Sequence, residues 1–285
     1  MYIECMKNIS TLEWFAEAGV KDISGDAPVD FLGLSKITPS ENVKPVYNQD
    51  MPAKKTNILA EEAVNFKPKL VTSGSLAGAI EEARQLADEA KTLDDLRKSI
   101  EGFNGCGLKK TANKTVFADG NPAAHVMVIG EAPGADEDVQ GIPFCGQSGK
   151  LLDKVLFSIG LTRKGDEKTG FYITNTLFWR PPGNRKPTPE ELAICEPFLE
   201  KHIALVNPKI LLLVGATAVQ GVLKDNSAMA KLRGSVSHYK NRYMQHDVPV
   251  MVTYHPSFLL RAPLNKRLAW EDMLKLQAKL KELGN

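Results

Sequence analysis

The 285-residue chain balances 36 Lys and Arg against 34 Asp and Glu, with 43% apolar and 25% charged residues, as ordinary globular proteins do. No apolar run approaches the roughly 20 residues of a membrane span, and the opening MYIECMKNIS lacks the basic and apolar regions of a secretion signal. Residues 1–100 hold 12 Lys and Arg against 16 Asp and Glu, while the remainder holds 24 against 18, so the basic C-terminal part is compatible with a polyanionic partner.

In chain order, TLEWFAEAGV (11–20) reads as a short amphipathic helix with Trp14 and Phe15 on its apolar side. The next stretch is rich in proline and polar residues without a sustained period, and reads as linker or disorder. SLAGAIEEARQLADEAKTLDDLRKSIEGF (75–103) is strongly helical. Ser75 can cap its first half, and Thr92 with Asp95 can form a capping box for the second. Two regions follow: an N-terminal extension over 1–92, with short helices and a flexible linker, and a folded domain over 93–285.

Within that domain four apolar runs recur: AHVMVIG (124–130), FYITNT (171–176), KILLLVG (209–215) and VPVMVTY (248–254). Helical stretches over 146–160, 188–206 and 215–223 separate them, with Thr188 and Glu191 as a second capping box, and NKRLAWEDMLKLQAKLKEL closes the chain. Continuous apolar strands alternating with helices predict a three-layer α/β/α domain around a central four-stranded parallel sheet with right-handed crossovers.

Ligands of such sheets bind beyond the carboxyl ends of the strands. The first strand there gives Gly130-Glu131-Ala132-Pro133-Gly134, the second Thr174-Asn175, the third Gly215-Ala216-Thr217, and the fourth Tyr254-His255-Pro256-Ser257. Topology thus brings a carboxylate, an amide and an imidazole to one rim. The glycine-rich turn is not a nucleotide P-loop, because Leu151 stands where Ser or Thr is required and Phe144 where the first glycine belongs. It has no dinucleotide G-x-G-x-x-G, and the rim has neither a Cys-His metal spacing nor a G-x-S-x-G elbow. A pocket for one flat, polar, uncharged ring fits better. Phe144 is placed either to stack on that ring or to pack into the core, Asn175 can read a ring edge, and His255 can donate to a ring oxygen. Asp136, Glu137 and Asp138 read as a solvated cluster at a helix start.

GEAPGADEDVQGIPFCGQSGKLLDKVL, YITNTLFWRPPGNRKPTPEE and YHPSFLLR resemble, in order and spacing, the motifs of the family 4 uracil-DNA glycosylases over roughly residues 100–280. The resemblance implies a DNA-repair enzyme that flips uracil out of DNA and hydrolyses its glycosidic bond, leaving an abasic site. By that resemblance Glu131 positions water or stabilises the developing sugar cation, and His255 contacts O2 of uracil. Phe144 stacks on the base, Asn175 reads its N3/O4 edge, and Gly130, Ala132 and Gly134 line the same pocket. Arg180, Arg185 and Lys186 suit phosphates. Ser257, Leu259, Leu260 and Arg261 follow His255 in the loop that wedges into the duplex, with one leucine inserted and the other packed in the core.

The chain departs from this family at the iron–sulfur cluster, normally held by four cysteines. Phe103 stands at the first position and Trp179 at the third, while Cys106 and Cys195 remain. Aromatic packing in place of a cluster is expected, so no cofactor is expected, against an alternative in which Cys5 and Cys145 complete a rearranged cluster. The four cysteines lack paired spacing, which argues against disulfides and for a reducing cytoplasm, and the resemblance to a DNA-repair enzyme implies association with the nucleoid there. A monomer acting on uracil-containing DNA is expected, with no membrane, and with residues 1–90 as a candidate tether for repair or replication proteins. The alternative function is a catalytically silent DNA- or nucleotide-binding module of the same fold.

Overall fold

A computed structural model of the protein describes residues 73–284. The expected helix at 11–20, the linker after it and Cys5 lie outside the described residues.

Helix α1 (Ser73–Glu89) starts ahead of Ser75, and α2 (Leu93–Gly102) follows a three-residue break. At that break Thr92 Oγ1 accepts from the Asp95 N–H at 3.1 Å, and Asp95 Oδ2 accepts from the Thr92 N–H at 3.0 Å, which is the expected capping box. Both helices share a core with later elements: Ala83, Ala87, Leu96 and Ile100 are fully buried there with Phe178 and Phe198. The boundary expected at residue 92 therefore falls inside one packed unit rather than at its edge.

Strand β1 (Asp119–Gly120), β2 (Val126–Gly130), α3 (Ala135–Gln140), α4 (Gln147–Phe157) and β3 (Phe171–Asn175) come next. They are followed by α5 (Pro189–Val206), β4 (Ile210–Val214), α6 (Ala216–Leu223), α7 (Met229–Leu232) and β5 (Val236–Tyr239). The chain ends with β6 (Val248–Thr253), α8 (Pro256–Arg261) and α9 (Lys266–Glu282). Thr188 and Glu191 form the second expected capping box, at the start of α5.

The sheet runs β1-β3-β2-β4-β6-β5. Its inner four strands are parallel, as the apolar runs predict. The expected four strands become six because β1 and β5 add antiparallel edges. Those edges have only two and four residues, and β5 alternates exposed with half-buried positions. Short, partly wetted edges are one way to prevent further strand pairing.

Successive residues of a strand face opposite sides. Val126 and Val128 accordingly pack with Leu152 and Leu156 of α4 and with Leu276 and Leu280 of α9. Met127 and Ile129 face the other way, onto Leu199 and Ile203 of α5 and Val219 of α6. This gives the three layers. It also sets the carboxyl ends of β2, β3, β4 and β6 along one rim.

Candidate active site

A cleft of about 940 Å³ opens at that rim. Its floor depends on Gly130, which pairs with Asn175 in the parallel register. A β-carbon on Gly130 would sit 2.3 Å from the Phe144 ring and 2.5 Å from Asn175 Oδ1. Hydrogen at this position is what lets the ring and the amide meet over the strand end. Gly130 thus lies beneath the cleft, whereas Glu131, Ala132 and Gly134 line it.

Glu131 is held at both its backbone and its carboxylate. Its carbonyl accepts from Leu177 N–H at 3.2 Å and Thr176 Oγ1 at 2.5 Å, tying the turn to the chain leaving β3. Its Oε2 accepts from Thr217 Oγ1 at 2.6 Å. Thr217 enters from the first turn of α6 and also lines the cleft. Sequence reading put Thr217 on the rim but gave it no task, since a threonine after a strand is ordinary.

Asn175 is only 1% exposed, and its Oδ1 has no hydrogen-bond partner among the described residues. A buried amide oxygen left so costs about 1–3 kcal/mol, a penalty that a ligand N–H would relieve. Phe144 is buried with φ 54°, a left-handed backbone rare for a bulky side chain. Its ring lies 5.8 Å from that of His255, tilted by 34°.

His255 caps α8. Its Nδ1 accepts from the Ser257 N–H at 3.2 Å and lies 2.8 Å from Ser257 Oγ. An Nδ1 that accepts leaves the ring proton on Nε2. Burial, with the positive charge of Arg261, lowers the His255 pKa to about 4, so the ring is neutral near neutrality. The cleft is therefore offered a neutral N–H donor rather than a cation.

The three acids after Gly134 divide in a way the sequence reading did not anticipate. Glu137 accepts from Gly134 N–H through one oxygen and from Gly146 N–H through the other, each at 3.0 Å, so it staples the two ends of the turn. Asp138 is 2% exposed and accepts from the Asn113 N–H at 2.8 Å and from Asn113 Nδ2 at 2.6 Å. Only Asp136 is exposed, at the cleft wall. The solvated cluster expected here is thus one wetted acid and two anchors, because Glu137 finds N–H groups at both ends of the turn and Asp138 finds Asn113, 25 residues away. Cys145, in the same turn, is half-buried, and burial followed by the Glu137 and Asp136 charges raises its thiol pKa.

Of the residues expected to grip DNA, Arg185, Lys186, Ser257, Leu260 and Arg261 line the cleft. Arg180 does not line it and donates through Nε to Asn184 Oδ1 at 2.7 Å. Arg185 pairs with Glu191 at 2.5 Å and keeps its side chain 43% exposed. The two leucines separate: Leu260 is 42% exposed, whereas Leu259 is 3% exposed and belongs to the core. Leu259 is thus removed from the expected DNA-contacting set.

The positions corresponding to a four-cysteine cluster form a sealed patch. Phe103 and Trp179 are each 1% exposed, with ring centroids 6.5 Å apart, and Cys106 and Cys195 are fully buried beside them. Trp179 Nε1 donates to Thr115 Oγ1 at 3.0 Å, satisfying its polar atom. The two thiols share a hydrogen bond, which with burial raises the Cys195 pKa well above the ordinary range and which lowers that of Cys106. No group of three or more His, Cys, Asp or Glu among the described residues is placed to hold a metal ion. Two thiols and two apolar rings do not fit a four-thiolate cluster. No helix among the described residues is long and apolar enough to cross a membrane.

Comparison with known proteins gives this arrangement a family. The profile of the uracil DNA glycosylase superfamily matches residues 117–274, and the chain belongs to that superfamily. A type-4 uracil-DNA glycosylase of Archaeoglobus fulgidus is 37% identical over 190 residues, 65% of this chain and 92% of its relative. Those of Sulfurisphaera tokodaii and Thermotoga maritima are each 32% identical, over 65% and 67% of this chain and 84% and 96% of their own lengths. Within the superfamily the chain therefore stands with the type-4 group.

Proposed function

We propose that the protein is a monofunctional uracil-DNA glycosylase working without a cluster, with Glu131, Asn175 and His255 as its working groups. The reading rests on one observation above the others: the same cleft holds a carboxylate, a buried amide whose oxygen has no partner among the described residues, and a neutral imidazole N–H. These are the complements of a sugar cation, a ring edge and an anionic ring oxygen.

Cleavage of the N-glycosidic bond places positive charge on the sugar and negative charge on the departing uracil. Glu131, held by Thr217, suits the first, either beneath the oxocarbenium-like sugar or orienting the attacking water. The Nε2–H of His255 suits the second, at O2, and a preorganised donor of this kind contributes about 10²–10³ in rate. Asn175 accepts from N3–H and donates to O4. Cytosine reverses that pattern and would leave the amide mispaired in a buried place, which discriminates strongly. Phe144 covers the ring face. Extrusion of the nucleotide costs a few kcal/mol of stacking. Leu260 would fill the gap, and Arg185, Lys186 and Arg261 would hold flanking phosphates.

A cluster-free enzyme is supported by the aromatic fill at Phe103 and Trp179. Visible absorption near 400 nm in anaerobically purified protein would overturn that part. The activity is tested on a labelled oligonucleotide carrying one uracil, incubated without added metal and treated with alkali. Strand breaks at uracil, lost in His255→Ala, are expected, as is new cutting at cytosine by Asn175→Asp. Binding without cleavage on both single and double strands would refute the enzyme and establish a silent DNA-binding module.

A further inference from the structure

We infer that Arg163, which does not line the cleft, is a positioning residue for base recognition: it locks Phe144 in the left-handed backbone conformation that sets its ring over the cleft. The inference deepens the reading above and depends on it for its substrate.

Arg163 sits in the loop between α4 and β3, with its side chain 16% exposed. Its Nη2 donates to the Phe144 carbonyl at 2.7 Å and its Nη1 to the Pro143 carbonyl at 2.9 Å. The far side of the fork is held by two acids: Nη1 donates to Asp119 Oδ2 at 2.8 Å and Nε to Asp153 Oδ1 at 2.9 Å. One guanidinium therefore joins edge strand β1, helix α4 and the cleft turn. From the other direction Gly149 closes on the same carbonyl, where a β-carbon would stand 1.7 Å from the Phe144 oxygen. The carbonyl of Phe144 is gripped between α4 and Arg163.

This grip acts where the backbone is least content. An aromatic residue at φ 54° persists only when its surroundings over-determine it. A return to negative φ would swing the ring off Gly130 and away from His255, opening the wall that covers the base. Planarity matters as much as charge. A lysine offers a point charge that cannot address both carbonyls and both carboxylates, whereas the arginine fork does so in one plane.

The test uses the full chain in single-turnover kinetics on a uracil oligonucleotide, with Arg163→Lys, Phe144→Ala and the double variant. Arg163→Lys should slow cleavage about tenfold, the rate equivalent of about 1.4 kcal/mol, and weaken inhibition by free uracil by a similar factor. Affinity for an oligonucleotide with an abasic site should stay unchanged, because no phosphate contact is touched. In the Phe144→Ala background the same substitution should change the rate less than about twofold, since residues acting as a unit are not additive. A purely structural role would instead lower the rate equally in both backgrounds, and that result, or an unaltered rate in Arg163→Lys, overturns the inference. If Arg163→Lys does not fold, Asp153→Asn, which loosens the fork and leaves both carbonyls, carries the same cycle, with the same two results deciding. If the wild type does not cleave uracil, the functional reading fails separately. Calorimetric binding of free uracil to the same four proteins then decides on Arg163 alone: weaker binding that disappears as an effect in the Phe144→Ala background upholds it, and equal or absent effects overturn it.

Discussion

Removing the Phe103 ring tests the aromatic patch proposed to take the place of a cluster. Phe103 is 1% exposed and meets Phe198 edge-on at 5.2 Å and Trp179 at 6.5 Å. A Phe→Ala change at such a site costs about 3–5 kcal/mol, with each aromatic pair contributing about 0.5–1.5 kcal/mol beyond its buried area. Two pairs are lost and the cavity is sealed by α1, α2 and α5, which cannot close on it without breaking their own contacts, so the upper part of the range applies. Against a total stability of about 5–15 kcal/mol this is severe. With a urea slope of about 2 kcal/mol per molar, the unfolding midpoint should fall by about 2 M at unchanged slope.

The assay is urea unfolding followed by circular dichroism, on wild type, Phe103→Ala and Phe103→Leu, each with and without a strong chelator. Phe103→Leu retains an aliphatic fill and should lose a smaller amount, about 1–2 kcal/mol. A chelator should move none of the midpoints. The chain leaving Trp179 enters the Arg180–Lys186 loop directly, so Phe103→Ala should also weaken DNA binding while leaving the rate at saturating DNA nearly intact. A loss below about 1 kcal/mol in Phe103→Ala, or a chelator-sensitive wild type, refutes the idea that rings hold this region together.

Four further outcomes are expected. Thr217→Val removes the donor at Glu131 Oε2; a hydrogen bond to a charged group amounts to about 1.5–3 kcal/mol, so single-turnover cleavage should slow about 10- to 100-fold with DNA affinity kept, and an unaltered rate refutes the positioning. Leu259→Ala should destabilise the fold by about 2–5 kcal/mol, whereas Leu260→Ala should leave the unfolding midpoint in place and slow cleavage of duplex more than of single strands; a reversed pattern would exchange core and wedge. His202 and His255 titrate near 6.5 when unfolded but only near 3 and 4 when folded, chiefly through burial. The unfolded chain therefore holds more protons over that interval, and stability falls on acidification by up to about 1.4 kcal/mol per pH unit for each histidine; a wild-type slope no steeper than that of His202→Phe refutes it. Asn175→Leu replaces an unpaired buried amide by an apolar group of similar reach, so thermal unfolding should move upward while uracil excision is lost, and a large destabilisation would mean that the oxygen is already satisfied.

The parallel strands were legible because a strand buried on both faces must be apolar throughout, and β2, β3 and β4 are buried at every position. Once they were aligned, the rim followed from topology, and Glu131, Asn175, Thr217 and His255 do meet there. Edge strands escaped notice for the same physical reason: β1 is Asp-Gly and β5 is Val-Ser-His-Tyr, with no buried run to announce them. Asp138 was misread because its partner Asn113 lies 25 residues away and leaves no local period. Leu259 and Leu260 could not be told apart because a six-residue helix contains too little periodicity to show which face is inside. Arg163 was invisible as one of several cations in a loop, beside Lys164, its meaning carried by four acceptors from three other segments.

The distribution of unpaired groups is itself an argument about the cleft. Away from it, buried polarity is answered. Asp272, with its side chain 1% exposed, accepts from Thr253 Oγ1 at 2.9 Å and pairs with Arg233 at 2.8 Å, pinning the end of β6 two residues before His255. Asp138 pins the helix after the glycine-rich turn. The exception is His202, whose Nδ1 lacks a partner among the described residues, although its ring stacks on Phe117 at 4.4 Å between centroids and its Nε2 lies 2.9 Å from the Tyr172 hydroxyl. Within the cleft the conditions reverse: Asn175 lacks a partner at Oδ1 among the described residues, His255 is desolvated, and Phe144 occupies a backbone region it would not choose. The first and the last each cost on the order of 1–3 kcal/mol, and all three residues line the same cleft. A fold that satisfies Asp272 and Asp138 so fully has no physical need to leave Asn175 bare, unless the missing partner arrives with the substrate.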